Sequence, residues 1–446
     1  MFGTSGIRGT VGEEVTASLA LSIGRAVASS GYDRVVVGRD VRESGVVLQD
    51  ALTAGLRECG ADVVDVGVAA TPTIARAIAW LEADAGVVIT ASHNPAPDNG
   101  IKLWLPSGKA FGPDEREAVS DRVRAEDYDL QPWDGLGSLE ARDGAIDHHA
   151  AALRSAVSLG GEDGSRTAPG VVVDVGNGTG GITARTLYEL GCDVRTVNGQ
   201  QDGSFPGRPS EPNRETLGAL MAMVEQTDAA LGIAHDGDAD RMMAVDETGS
   251  FVPKDVLLAL FARESAGDGD GVAAPVDTSL AVDDALAAVG ASLTRTEVGD
   301  VYVAERATED DVVFGGEPSG AWIWPEETLC PDGPLAACKL VELVADRGPL
   351  SALVDEIETY PIERDSIDVP ETEKTDVMDR VRTRVLEAYD DADTLDGVRV
   401  DTGDGWFLIR PSGTEPIVRV TAEARDDARV DVLAAEATEI VTAAVE

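Results

Sequence analysis

The feature that most constrains this chain is a repeated alternation of short β-branched runs with helically spaced apolar residues. Runs at Arg34–Val37, Val63–Val66 and Gly86–Thr90 read as strands, interleaved with helical patterns near Val15–Ala28, Val46–Glu58 and Thr73–Leu81. The rhythm restarts at Val171–Val175, Asp193–Val197 and Ala230–Ala234, and again at Val272–Pro275, Ser292–Thr296 and Val312–Phe314. Strands alternating with helices predict parallel or mixed sheets under helical cover. Three such passages within 446 residues predict three similar mixed α/β sheet domains of ordinary size. After Tyr360–Pro361 the pattern changes to a helix Thr372–Ala388, strands Gly397–Asp401, Trp406–Arg410 and Ile417–Glu423, and a helix from about Ala428. Strands joined by short turns pair antiparallel, so this last segment reads as an α+β domain. The expected domains are residues 1–150, 151–248, 249–360 and 361–446, with seams at Gly160–Pro169 and Glu247–Pro253.

Charge narrows the function. Asp+Glu total 82 against 36 Lys+Arg, giving −46, and Lys occurs only at 102, 109, 254, 339 and 374. Phosphate backbones would be repelled over most of such a surface, so nucleic acid is not an expected partner. The acid is spread along the whole chain, as suits a protein dissolved in high salt, where screening removes self-repulsion. The expectation is a halophilic, archaeal-like cytoplasmic protein. No apolar run is long enough to span a membrane, and the first residues show no signal-peptide pattern. The four Cys have no C-x-x-C spacing, so reduced thiols are expected. His148 and His149 lie in a polar stretch and read as solvated.

Five loops carry candidate chemistry. Thr90-Ala91-Ser92-His93-Asn94-Pro95 follows an apolar strand, where open α/β sheets place ligand groups. Ser92 there is either a nucleophile or part of a Ser/Asn turn before Pro. A serine hydrolase is disfavoured, since no G-x-S-x-G occurs. Asp236-Gly237-Asp238-Ala239-Asp240-Arg241 also follows a strand and can aim three hard oxygens at one cation, or can be a solvated acidic loop. An EF-hand using Glu247 fits the spacing, but Arg241 stands where that turn needs Gly. Gly176-Asn177-Gly178-Thr179-Gly180-Gly181 matches G-x-G-x-x-G without a downstream acid for a ribose, and reads better as a structural turn. Gly316-Glu317-Pro318-Ser319-Gly320 is either a plain turn or a carboxylate and hydroxyl set for vicinal hydroxyls. Arg410-Pro411-Ser412-Gly413-Thr414-Glu415-Pro416, with Arg419, is a hairpin turn or a phosphate nest.

Together with Phe2-Gly3-Thr4-Ser5-Gly6-Ile7-Arg8-Gly9 and Gly38-Arg39-Asp40, four of these loops, those of Ser92, the three aspartates, Glu317 and Arg410, resemble, in order and over the whole chain, the α-D-phosphohexomutase superfamily. The resemblance implies four domains around a central cleft and exchange of a phosphoryl group between the 1- and 6-positions of a hexose. It implies that Ser92 is the serine that carries the phosphoryl group. Asp236, Asp238 and Asp240, with an oxygen on Ser92, would hold Mg²⁺. Arg8 and Arg241 would lie near the transferring group, and Lys102 or His93 would serve proton transfer. Glu317 and Ser319 would read the sugar, and Arg410, Ser412, Gly413, Thr414 and Arg419 would clamp the phosphate that is not transferred. A hexose 1,6-bisphosphate would be the activator and sugar phosphates the partners. Many relatives carry His after the Ser-Gly of the sugar loop, where this chain has Ala321. Phosphoglucosamine mutase is the expected activity, with phosphomannomutase/phosphoglucomutase as the alternative. A phosphatase or kinase on the same aspartate loop, or a silent sugar-phosphate binder, would be readings of another class.

Overall fold

The valine-rich runs form strands because β-branched side chains pack well on a pleated, buried surface. The computed structural model describes residues 3, 6–159, 168–412 and 415–445. The chain forms two compact units, Met1–Leu257 with Ser319–Val354, and Leu258–Pro318 with Asp355–Glu446.

The first unit contains a six-stranded sheet in the order Ile7–Thr10, Asp98–Trp104, Ala85–Ile89, Arg34–Arg39, Asp62–Val68, Leu139–Ala141. Only Asp98–Trp104 runs against both its neighbours. The helices Ala17–Ser29 and Gly45–Glu58 bury one face around Ile23, Val27, Leu52 and Leu56, and helix Thr71–Trp80 buries the other around Ile74 and Ile78. A second sheet has the order Met242–Asp246, Leu231–His235, Gly170–Asp174, Asp193–Val197, with the first pair antiparallel and the others parallel. The two sheets share one device. A fully buried strand, Ala85–Ile89 or Leu231–His235, ends in a short polar loop and the chain returns antiparallel beside it. The polar loops are those of Ser92 and of the three aspartates.

Several strands have no clear sequence signal. Asp98–Trp104 opens with Asp-Asn-Gly, which reads as a turn, and Ile362–Asp368 is a mostly exposed strand of charged residues. Ile7–Thr10, Leu139–Ala141 and Met242–Asp246 are likewise strands that the β-branched pattern does not mark. Most of the seam at 160–169 lies outside the described residues, and helix Ala145–Ser155 runs through position 150.

In the second unit, Gly271–Pro275 lies between the parallel strands Ser292–Thr296 and Val312–Glu317. The C-terminal sheet is wholly antiparallel, in the order Ile362–Asp368, Ile417–Ala424, Gly405–Pro411, Val398–Asp401. Phe407 and Ile409 pack under helices Lys374–Ala388 and Asp427–Val445, while the alternate residues Trp406 and Leu408 pack against Val276 and Leu280. That alternation is the period of two expected of a strand covered on both faces.

The histidine expectation fails for His149. Its ring is fully buried, with Nδ1 2.8 Å from Thr73 Oγ1 and Nε2 3.1 Å from Asp332 Oδ2. His148 is exposed and lies against Trp80, with ring centroids 4.0 Å apart. Asp332 also accepts from Arg76 Nε at 2.9 Å and caps helix Gly333–Arg347 through Leu335 N at 3.0 Å. Burial alone would raise the Asp332 carboxyl, but His149 and Arg76 outweigh it and hold it below the ordinary carboxylate range. A depressed carboxyl contributes stability above its unfolded pKa and loses it as pH falls through the folded one. Removing one partner of a buried pair leaves the other uncompensated, so Asp332→Asn is expected to cost about 3–5 kcal/mol of unfolding free energy at neutral pH. Urea denaturation of the two proteins at matched salt checks this.

Candidate active site

Ser92 is the third residue after a strand whose five residues are all buried. Its backbone φ is +50°, a left-handed conformation that costs a side-chain-bearing residue about 1–3 kcal/mol. Strained residues of this kind cluster at functional sites, where the surrounding structure imposes them. The Ser92 hydroxyl donates to Asp236 Oδ2 at 2.6 Å, with Asp240 Oδ1 at 3.4 Å and His93 Nδ1 at 3.5 Å.

The three aspartates alternate along a loop beside Ser92, and all are buried. One oxygen from each lies within 4.8 Å of the others. Lys102 Nζ, carried in by the returning strand, donates to Asp240 Oδ2 at 2.6 Å and Asp238 Oδ2 at 3.2 Å. Thr71 Oγ1 donates to Asp238 Oδ2 at 2.7 Å, and Arg241 N donates to Asp236 Oδ1 at 3.2 Å. Burial, then the charges of Asp240 and Asp238, push the Asp236 carboxyl well above its ordinary range. Burial works the same way on Asp238, but Lys102, the Thr71 hydrogen bond and Arg8 outweigh it and hold that carboxyl low. Asp238 Oδ1 is buried with no hydrogen-bond partner among the described residues. Three converging buried carboxylates, with Asp238 Oδ1 left without a hydrogen-bond partner among the described residues, fit a small divalent cation.

His93 is held neutral, pushed down to about 2 by burial and by the nearby Arg241, Arg8 and Lys102 charges. It can therefore give or take a hydrogen bond at neutral pH but holds no spare proton. Arg8 shifts both His93 and Asp238, and its buried Nε has no hydrogen-bond partner among the described residues. Glu247 is engaged elsewhere, accepting from the amide of Ser351 at 3.2 Å and from its hydroxyl. It is not among the clustered carboxylates, which removes the EF-hand reading.

The glycine-rich loop at 176–181 is a structural turn supporting the aspartates. Thr179 N donates to Gly237 O at 3.0 Å, and a Cβ on Gly178 would lie 2.4 Å from that same oxygen. Arg208, absent from any motif, donates to Asp174 Oδ2 at 2.8 Å and to His235 O at 2.6 Å, just before Asp236.

Glu317 ends strand Val312–Glu317 and Ser319 follows in the turn, both half-buried. Ala321 pairs through its backbone with Arg241 and is almost fully buried. In the C-terminal sheet Arg410 and Arg419 stand directly opposite each other. Like charges in that position destabilise a sheet unless anions lie between or beside them. Arg410 pairs with Asp396 at 2.9 Å and Arg419 with Glu415 at 2.7 Å. Arg410 Nε is buried and has no hydrogen-bond partner among the described residues. Ser412 lies beside them, and its carbonyl accepts from Lys374 Nζ at 2.7 Å, a bracing contact that no motif signals. Gly413 and Thr414 lie outside the described residues.

The Ser92 site therefore has the parts of a metal-assisted group-transfer enzyme: a strained hydroxyl, a carboxylate triad and the nearby cations Lys102, Arg8 and Arg241. Comparison with known proteins gives the family. Residues 1–129, 147–249 and 253–360 match alpha/beta/alpha domains I, II and III of phosphoglucomutase/phosphomannomutase, and 367–440 match the C-terminal domain. A phosphoglucosamine mutase by name from Methanopyrus kandleri is 47% identical over 451 residues, covering 100% of this chain and 98% of the relative. Another from Methanothermobacter thermautotrophicus is 45% identical, covering 96% and 94%. The crystal structure of a phosphoglucomutase/phosphomannomutase family protein from Burkholderia thailandensis superposes with a TM-score of 0.88 at 30% identity, covering 100% of this chain and 98% of that one. The chain belongs to the phosphoglucomutase/phosphomannomutase family, the α-D-phosphohexomutases, and is an isomerase of the phosphotransferase kind. Among the described residues no helix is long and apolar enough to cross a membrane.

Proposed function

We propose that this chain is a phosphoglucosamine mutase, interconverting the 6- and 1-phosphates of glucosamine through a phosphorylated Ser92 and a hexose 1,6-bisphosphate. The observation that carries the reading is the Ser92 hydroxyl 2.6 Å from Asp236 within a buried aspartate triad. The names of the relatives at 45–47% identity support glucosamine as the sugar. Asp236, Asp238 and Asp240 would hold Mg²⁺ with an oxygen on Ser92. The ion, when bound, supplies Lewis-acid neutralisation of the charge that develops on the transferring phosphoryl group.

The chain's own residues do the rest. Ser92 gives its phosphoryl group to the free hydroxyl of a hexose monophosphate, and after the bisphosphate reorients Ser92 accepts the other phosphoryl group. Arg8 and Arg241 add fixed positive charge where the phosphoryl oxygens pass. Lys102, on the side of the loop where two aspartates already meet it, is placed to move the hydroxyl proton. His93, held neutral, orients by hydrogen bonding. Glu317 and Ser319 read the sugar hydroxyls. Arg410, Ser412, Gly413, Thr414 and Arg419 hold the phosphate not in transfer. A bisphosphate would act as activator by restoring the phosphorylated Ser92.

Turnover of glucosamine, mannose and glucose phosphates, each with a catalytic amount of its bisphosphate, tests the assignment. The highest kcat/KM is expected for glucosamine phosphate; a preference for mannose or glucose phosphate would move the chain to phosphomannomutase/phosphoglucomutase. Glu247→Gln is expected to leave Mg²⁺-dependent turnover unchanged within about twofold, because no catalytic group contacts Glu247. A large loss in a magnesium titration of that variant would return Glu247 to the metal site.

A further inference from the structure

The left-handed conformation of Ser92 is held by one contact within its own loop and by two from residues that none of the family motifs contains. The Ser92 amide donates to Thr90 Oγ1 at 2.9 Å. The Ser92 carbonyl accepts two hydrogen bonds, from Arg42 Nη2 at 2.9 Å and from Ser210 Oγ at 2.9 Å.

Arg42 is fully buried and its guanidinium also donates to Asn94 O at 2.6 Å, Pro95 O at 2.7 Å and Asp98 O at 2.8 Å. One planar fork thus closes the serine loop from the inside, a task that suits five fixed donors and not the single ammonium of a lysine. Asp40 Oδ2 orients the fork through Nε at 3.0 Å, and the Phe205 ring lies 4.9 Å from its centre.

Ser210 joins two loops. Its oxygen accepts from Gly237 N at 3.0 Å, between the first two aspartates, while its proton goes to Ser92 O. A hydroxyl has one proton, so the direction of this chain is fixed: Gly237 N–H to Ser210, then Ser210 O–H to Ser92 carbonyl. Gly237 must lack a side chain, since a Cβ there would lie 2.9 Å from both Ser210 Oγ and Ser92 O.

We propose that Arg42 and Ser210 are positioning residues for phosphoryl transfer. Arg42 shapes the serine loop, and Ser210 sets the separation of that loop from the aspartates, so that Ser92 Oγ meets the triad. Neither side chain hydrogen-bonds the Ser92 hydroxyl or the triad carboxylates. The proposal rests on the mutase reading.

Ser210→Ala removes the link without opening a large cavity, and Arg42→Lys removes the fork while keeping the charge. Misplacing a reacting group by about an ångström can cost about a hundredfold in rate, so Ser210→Ala is expected to lower kcat roughly ten- to a hundredfold. KM for glucosamine 6-phosphate should stay within about twofold, because sugar and distal phosphate are bound by other residues. Hydrogen exchange should quicken across residues 91–98, the loop that Ser210 ties to the aspartates. A Ser210→Ala enzyme with wild-type kcat, or one whose loss lies wholly in KM, overturns the role. A wild type inert on every hexose phosphate overturns the mutase reading and the positioning role with it. An active wild type with an unaffected Ser210→Ala overturns the positioning role alone.

Discussion

Ser92→Ala is expected to remove nearly all mutase turnover, on the order of 10⁴-fold or more, the scale at which losing a nucleophile cripples covalent catalysis. The fold should survive, because the change deletes one hydroxyl whose partner, Asp236, keeps its bond from Arg241 N. The variant should also give no phosphorylated species on intact-mass analysis after incubation with bisphosphate. Steady-state kinetics beside urea denaturation separate the two effects. Substantial turnover in folded Ser92→Ala would mean that the phosphoryl group travels by another route.

Arg410→Ala is expected to act on the other end of the substrate. Charge-assisted Arg–phosphate contacts are stronger than neutral hydrogen bonds, and losing one should cost on the order of 2–4 kcal/mol. At about 1.4 kcal/mol per factor of ten, kcat/KM should fall roughly 30- to 1,000-fold. Phosphorylation of Ser92 should persist, since the serine and the triad belong to the first unit and Arg410 to the second. Kinetics at matched ionic strength check this, and an unchanged kcat/KM would remove the C-terminal loop from the active site.

The serine and aspartate loops were legible because each is a contiguous run at the end of a buried apolar strand. Such a run survives in sequence even though Ser92 and Asp236 are 144 residues apart and meet only in the fold. The α/β alternation was legible for the same reason: Val-rich strands are fully buried and read as continuous apolar runs. What escaped is what works through the backbone. Arg42, Arg208 and Lys374 all donate to main-chain carbonyls, which every residue possesses, so nothing in the sequence marks their targets. The strand carrying Lys102 was hidden behind Asp98-Asn99-Gly100, and Ile362–Asp368 because a mostly exposed strand needs no apolar face. His149 looked solvated because its partners, Thr73 and Asp332, are 76 and 183 residues away.

Every step of the proposed exchange passes through Ser92, which carries the phosphoryl group between substrate positions. Peptide mapping by mass spectrometry, on active enzyme turning over glucosamine phosphate, tests it most directly. A phosphoryl group is expected on Ser92, discharged when excess hexose monophosphate is added and restored by bisphosphate. A phosphoryl group mapped to a different residue of the active enzyme, or turnover with Ser92 never modified, would contradict it.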